Sequence, residues 1–121
     1  VRSSVEAARN ALSDKIQYLT EFLGGEYEIQ GAYPAWEYRK ESPLRDKMVE
    51  VYETMYGQKP EVVAIHAGLE CGLFYKKIDG LDCVSLGPDM KDIHTSEEVL
   101  DIASTERVWK YLVKVLEELK D

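Results

Sequence analysis

An imidazole, a carboxylate and a thiol are packed into one short stretch of this chain, His66-Ala67-Gly68-Leu69-Glu70-Cys71-Gly72. The other histidine, His94, stands among Asp92, Glu97 and Glu98. Neutral imidazole is the commonest protein ligand for zinc and carboxylates complete hydrolytic zinc sites, so metal chemistry is the first possibility these residues raise. A nucleophilic pair of Cys71 with His66 is a second, because thiolates are activated near helix N-termini, although nothing in the spacing sets its geometry. A structural zinc site from His66, Cys71, Cys83 and His94 is a third. Against it, the spacing H-x4-C-x11-C-x10-H lacks the close ligand pairs of zinc knuckles, and Cys83 on a strand is expected to face a core. The plain alternative makes His66 and Cys71 half-buried packing residues, Glu70 a solvated charge at a helix start, and the acidic residues around His94 a solvated loop.

The flanking sequence indicates how such residues are positioned. Val62-Val63-Ala64-Ile65 is a β-branched apolar run predicted as a buried strand, and Leu73 to Lys77 can begin a helix, which makes residues 66–72 a strand-to-helix turn. Open α/β sheets place their chemistry at that kind of turn. Asp82 to Leu86 is predicted as a second short strand closed by Gly87-Pro88, so both histidines fall beyond strand ends. Residues 89–103 read as a polar loop.

Three longer helices surround this centre. Ser3 and Glu6 read as a capping box ahead of Val5, Ala8, Leu12, Ile16, Leu19 and Leu23, which recur at helical spacing up to Gly24-Gly25. Glu26 to Gln30 then alternates as a half-buried strand does, and Gly31 to Arg39 is an aromatic-rich extended connection. Ser42-Pro43 opens a second helix with Leu44, Met48, Val51 and Met55 on one face and Gly57 at its end. Ser104 is predicted to cap the last helix, whose stripe is Val108, Leu112, Val115, Leu116 and Leu119. The fold class expected is α/β, a short mixed sheet covered by amphipathic helices.

The chain's 121 residues are one domain's worth, with 45% hydrophobic content. Fifteen basic against twenty-three acidic residues leave a net charge of −8, which repels nucleic acid and anionic membrane surfaces. No apolar run approaches the roughly eighteen residues of a membrane span, and two cysteines without CxxC spacing fit a reducing, cytoplasmic setting. The opening on Val1-Arg2-Ser3-Ser4 leads to the expectation of a fragment.

Several short motifs occur together: Gly31-Ala32-Tyr33-Pro34-Ala35-Trp36, Ser42-Pro43, H-A-G-L-E-C-G-L-F at 66–74, V-S-L-G-P at 84–88 and H-T-S-E-E at 94–98. In this order and spacing they resemble the C-terminal part of the bacterial aminoacyl-histidine (Xaa-His) dipeptidases, di-zinc exopeptidases related to peptidase T and carboxypeptidase G. In that family a lid domain is inserted into a zinc-binding catalytic domain. The resemblance implies that residues 1–36 are the last helix and strand of the lid, a dimerisation-type domain, and that 37–121 are the C-terminal part of the catalytic domain. It further implies His94 as the last zinc ligand, Glu70 as a residue lining the substrate cleft, and Gly87 and Pro88 as backbone beside the bound dipeptide; His66 joins them as a substrate-binding candidate. The family's remaining zinc ligands and its general-base glutamate lie upstream of anything matched here, so no catalytic residue is expected in these 121. The expected parent is a cytoplasmic, homo-oligomeric metallodipeptidase with two zinc ions, acting on Xaa-His type dipeptides by metal-activated water. The isolated chain is expected to be inactive and to bind zinc weakly or not at all. A different class of function, a free-standing α/β module that binds a small ligand or mediates dimerisation, is the alternative.

Overall fold

A computed structural model describes residues 1–65 and 69–120. It is a mixed α/β structure of four helices and a small sheet. In chain order these are α1 (Glu6–Phe22), α2 (Pro43–Tyr56), α3 (Glu70–Lys77), β1 (Met90–Lys91), β2 (Val99–Leu100) and α4 (Ile102–Glu118). The chain divides into two compact units. One comprises Val1–Glu41 with Val62–Cys83, the other Ser42–Glu61 with Val84–Asp121.

The second unit is built on α2 against α4. Ser42 caps α2 by accepting the Arg45 backbone N–H, Pro43 occupies the first turn, and Gly57 ends the helix, all as the sequence indicates. Met48 and Val51 from α2 meet Tyr111 and Val115 from α4 in the core, with Leu44, Tyr52, Met55, Tyr56 and Val84 packed around them. Tyr111 is buried with its hydroxyl donating to the Met48 carbonyl at 2.7 Å, so a polar tip in an apolar contact is satisfied. Tyr52 meets the Tyr111 ring edge-on with centroids 5.3 Å apart, a favoured aromatic arrangement.

Two expectations for α4 are corrected. Its cap is Asp101, whose Oδ1 accepts the Ser104 backbone N–H at 2.5 Å, and Ser104 lies buried inside the first turn. Of the predicted stripe only Val115 is buried; Leu116 and Leu119 are exposed, and the buried face runs through Ser104, Tyr111 and Val115. The stretch expected to be a loop contains the antiparallel pair of β1 and β2, in register Met90 to Leu100 and Lys91 to Val99.

In the first unit the capping box is absent. Val5 is the N-cap without a side-chain bond, Ser3 Oγ accepts the Val5 N–H at 3.0 Å, and the free N–H of Glu6 donates to Glu37 Oε1 at 3.3 Å. A carboxylate distant in sequence thus meets the positive end of α1. The helix turns its polar positions Glu6, Arg9, Ser13, Gln17 and Thr20 inward, while Val5, Leu12, Ile16, Leu19 and Leu23 are exposed and no α1 residue is buried. That stripe needs an apolar cover which the described residues do not supply.

The three predicted strands at 26–30, 62–65 and 82–86 belong to no ladder among the described residues, so the sheet is two-stranded and antiparallel. A strand exists only through backbone bonds to a neighbour about 4.8 Å away, and these apolar runs have no such neighbour here. Among the described residues no helix is long and apolar enough to cross a membrane.

Candidate functional site

His66, with Ala67 and Gly68, lies outside the described residues. The rest of that motif begins α3. Glu70 is its exposed first residue, a carboxylate at the positive end of the helix dipole, where Leu69 provides no side-chain cap. Gly72 is buried, and a Cβ built there would stand 3.1 Å from the Pro34 carbonyl oxygen and 3.5 Å from Trp36 Cβ. The absence of a side chain therefore lets the first turn of α3 sit directly on the Gly-Ala-Tyr-Pro-Ala-Trp segment. Two motifs separated by some thirty-five positions are in contact.

The same segment organises the whole unit. The Arg9 guanidinium donates to the Tyr33 carbonyl, Glu37 meets the start of α1, and the Arg39 guanidinium donates to the carbonyls of Gly80 and Leu81 at 2.9 and 3.2 Å. Lys76 on α3 approaches Glu6 on α1 at 3.8 Å. What reads as a connection in the sequence is a platform on which α1, the start of α3 and the turn after α3 all rest.

The second unit carries Gly87, Pro88 and His94. Gly87 is exposed and Pro88 half-buried. Directly after them the Asp89 N–H donates to the buried Ser104 Oγ at 2.8 Å, Ser104 Oγ donates to the Asp101 carbonyl at 2.8 Å, and the Asp101 N–H returns to the Asp89 carbonyl at 2.9 Å. Arg107 pairs with the Asp89 carboxylate at 3.3 Å. This ring of bonds clamps both ends of the hairpin to the start of α4, and an open groove beside it is lined by Pro88, Met90, Ile93 and Leu100 among others.

His94 lies in the tip of that hairpin and is exposed, with a left-handed φ of 68°. Its N–H donates to Glu98 Oε2 at 2.7 Å, and Thr95 closes the turn onto the Asp92 carbonyl through both its N–H at 3.1 Å and its hydroxyl at 2.6 Å. Asp92 is left-handed as well, at 51°. Outside glycine that conformation is uncommon, with Asp and His among the residues that tolerate it best. The tip is thus a built loop that holds one imidazole in the open.

Gly87, Pro88 and His94 share one unit, while Glu70 belongs to the other. Among the described residues no group of three His, Cys, Asp or Glu side chains is gathered closely enough to hold a metal ion. The described residues therefore do not make a zinc centre by themselves. The clamp of Asp89, Asp101 and Ser104 went unrecognised in the sequence, although the three-residue spacing of Asp101 and Ser104 is the signal of a helix cap.

No family model matches the chain. It is 33% identical over 119 residues, 98% of its length, to the cytosol non-specific dipeptidase of Escherichia coli (strain K12), of which it covers 24%. Its fold matches the crystal structure of aminoacylhistidine dipeptidase from Vibrio alginolyticus with a TM-score of 0.77 and 34% identity, covering 98% of this chain and 24% of that one. The chain spans about a quarter of the length of the relatives it matches. With a third of its residues identical along nearly its whole extent and a matching fold, the chain is homologous to these two dipeptidases and matches the C-terminal part of the V. alginolyticus structure.

Proposed function

We propose that these residues act as the C-terminal part of a metallodipeptidase that hydrolyses Xaa-His type dipeptides. The observation that carries this reading is identity of 33% and 34% with two dipeptidases, sustained over 98% of the chain. In the whole enzyme two zinc ions would supply a polarised, readily deprotonated water. His94 is the one side chain of this stretch that we assign to zinc. Support comes from its exposure and from the left-handed backbone held by Glu98, Thr95 and Asp92, since strain of this kind is kept where a side chain must be aimed. Glu70, His66, Gly87 and Pro88 are assigned to the substrate cleft. Residues 1–36 are assigned to the lid and 37–121 to the catalytic domain.

The general base and the other zinc ligands belong to the upstream part of the parent, so the 121 residues alone are inactive. The parent works in the cytoplasm, as the name of the E. coli relative suggests, and as a homo-oligomer, for which the open apolar face of α1 provides a surface.

The test is made in the full-length parent. Hydrolysis of Xaa-His dipeptides is expected to stop on chelation and return with zinc. His94→Ala is expected to lower zinc content and abolish turnover, whereas Glu70→Gln keeps its zinc and turns over more slowly. Full zinc content with near-normal rates in His94→Ala removes His94 from the metal. Dipeptide binding by the 121-residue chain alone, with no hydrolysis by the parent, favours a free-standing binding module.

A further inference from the structure

We propose that Ser104 is a positioning residue: through its one buried hydroxyl it sets where His94, and the Gly87-Pro88 turn before it, stand in the intact dipeptidase. This inference rests on the dipeptidase reading and adds to it a residue that touches neither metal nor substrate.

The internal shape of the hairpin tip is fixed locally. The bond of the His94 N–H to Glu98 and the two bonds of Thr95 to the Asp92 carbonyl all lie within residues 92–98, so they orient the imidazole relative to the tip alone. The direction of the tip relative to the rest of its unit must come from the base of the hairpin. Strands β1 and β2 contribute two residues each, and all four, Met90, Lys91, Val99 and Leu100, are exposed. A ladder so short, with no buried face, does not hold itself in place.

At the base, Asp89 precedes β1 and Asp101 follows β2. Ser104, 2% exposed, accepts the Asp89 N–H and donates to the Asp101 carbonyl, both at 2.8 Å, so one hydroxyl joins the two legs to the first turn of α4. Accepting and donating at once is what a hydroxyl can do and an alanine methyl cannot. The other tether of the first leg, Arg107 to the Asp89 carboxylate at 3.3 Å, joins side chains 56% and 79% exposed and is correspondingly loose. Helix α4 is itself anchored, because Tyr111 and Val115 pack on Met48 and Val51. Val84 packs against that same core, so the Gly87-Pro88 turn spans two held points, Val84 and Asp89. Without the Ser104 hydroxyl the first leg keeps only Arg107 and its bond to Asp101, and the hairpin is free to tilt about Asp101. His94 then leaves its place at the metal while the core stays assembled.

The experiment measures zinc affinity in the full-length parent by competition with a chelating dye, in wild type, Ser104→Ala, Tyr111→Phe and His94→Ala. Tyr111→Phe removes a buried bond from the same helix and core without touching the hairpin, so it reports what a general loss of stability does. Ser104→Ala is expected to weaken zinc binding at least about tenfold, and Tyr111→Phe to stay within about twofold of wild type. Unchanged affinity in Ser104→Ala, or an equal loss in Tyr111→Phe, overturns the proposal. His94→Ala separates the two readings. If it keeps its zinc, the assignment of His94 to the metal falls and the role of Ser104 falls with it; if it loses zinc while Ser104→Ala does not, only the role of Ser104 falls. Where Ser104→Ala fails to fold, wild type decides through residue-resolved hydrogen exchange of the metal-free parent. The Asp89 amide, on an exposed residue, is expected to exchange at least about tenfold more slowly than an unprotected chain, and exchange at the unprotected rate overturns the proposal.

Discussion

The left-handed backbone at His94 makes this residue a point where stability and function are expected to pull apart. In His94→Gly, the steric cost of holding a non-glycine residue in that conformation, about 1–2 kcal/mol, is relieved. Against this, the added glycine gives the unfolded chain more freedom, which takes back about 0.5–1 kcal/mol. No burial is lost because His94 is exposed, and the N–H bond to Glu98 is a backbone donor that glycine retains. The net expectation is a gain of about 0–1.5 kcal/mol, as the difference of those two terms. His94→Ala keeps the strain and is expected within about half a kcal/mol of wild type. His94→Val adds a β-branched side chain to a region it rarely enters and is expected to lose about 1 kcal/mol or more. The hairpin is clamped to α4 through Asp89, Asp101 and Ser104, so its conformational energy is read in the unfolding of that unit. Urea unfolding of the four proteins followed by helical circular dichroism gives the order directly. An order in which glycine is less stable than alanine refutes the reasoning, because it means the left-handed conformation at 94 costs nothing. In the full-length parent the same His94→Gly change is expected to lose zinc and turnover while the protein becomes no less stable.

Other expectations follow from the packing. Gly72→Ala places a methyl 3.1 Å from the Pro34 carbonyl oxygen, and overpacking of about 1–3 kcal/mol outweighs the helix preference of up to about 1 kcal/mol, so the urea midpoint falls; a stabilised variant contradicts the close approach. Tyr111 has its ionisation raised above the ordinary 10.0 by burial first and then by Tyr52 and Tyr56. A raised folded value means the neutral form contributes stability below the unfolded value, and this is lost as pH rises through the folded one. Alkaline titration from about pH 10 upward should therefore weaken wild type more steeply than Tyr111→Phe, which itself loses about 1 kcal/mol with the bond to Met48; equal pH slopes count against this. Melting curves of the chain with and without EDTA should coincide, since the core of Met48, Val51, Tyr111 and Val115 draws on no metal, and a large downward shift in EDTA would point to a structural zinc site. The open apolar stripes, Val5, Leu12, Ile16 and Leu19 on α1 and Ile102, Trp109, Val113 and Leu116 on α4, should drive self-association in sedimentation; monomer alone at high concentration counts against it.

Helix α2 was legible in full, from the Ser42 cap and Pro43 through the Met48 and Val51 stripe to Gly57, because caps and stripes are set by residues within a turn or two of one another. The homology was legible too, since short motifs such as H-A-G-L-E-C-G-L-F carry their identity in order and spacing alone. Where an interaction depends on a distant partner, only the tertiary structure decides. The apolar stripe of α1 is periodic in the sequence, yet it is open to water because periodicity names a face without providing what covers it. Ser104 and Asp101 are both good caps by residue type, and the choice fell to Asp101 because Ser104 is drawn inward to meet the N–H of Asp89. The runs at 26–30, 62–65 and 82–86 have strand-like composition, but a ladder needs a second chain segment alongside, and composition cannot supply one. The seat of Gly72 on Pro34 likewise came from folding residues far apart in sequence onto one platform, a result of the three-dimensional path and of no local pattern.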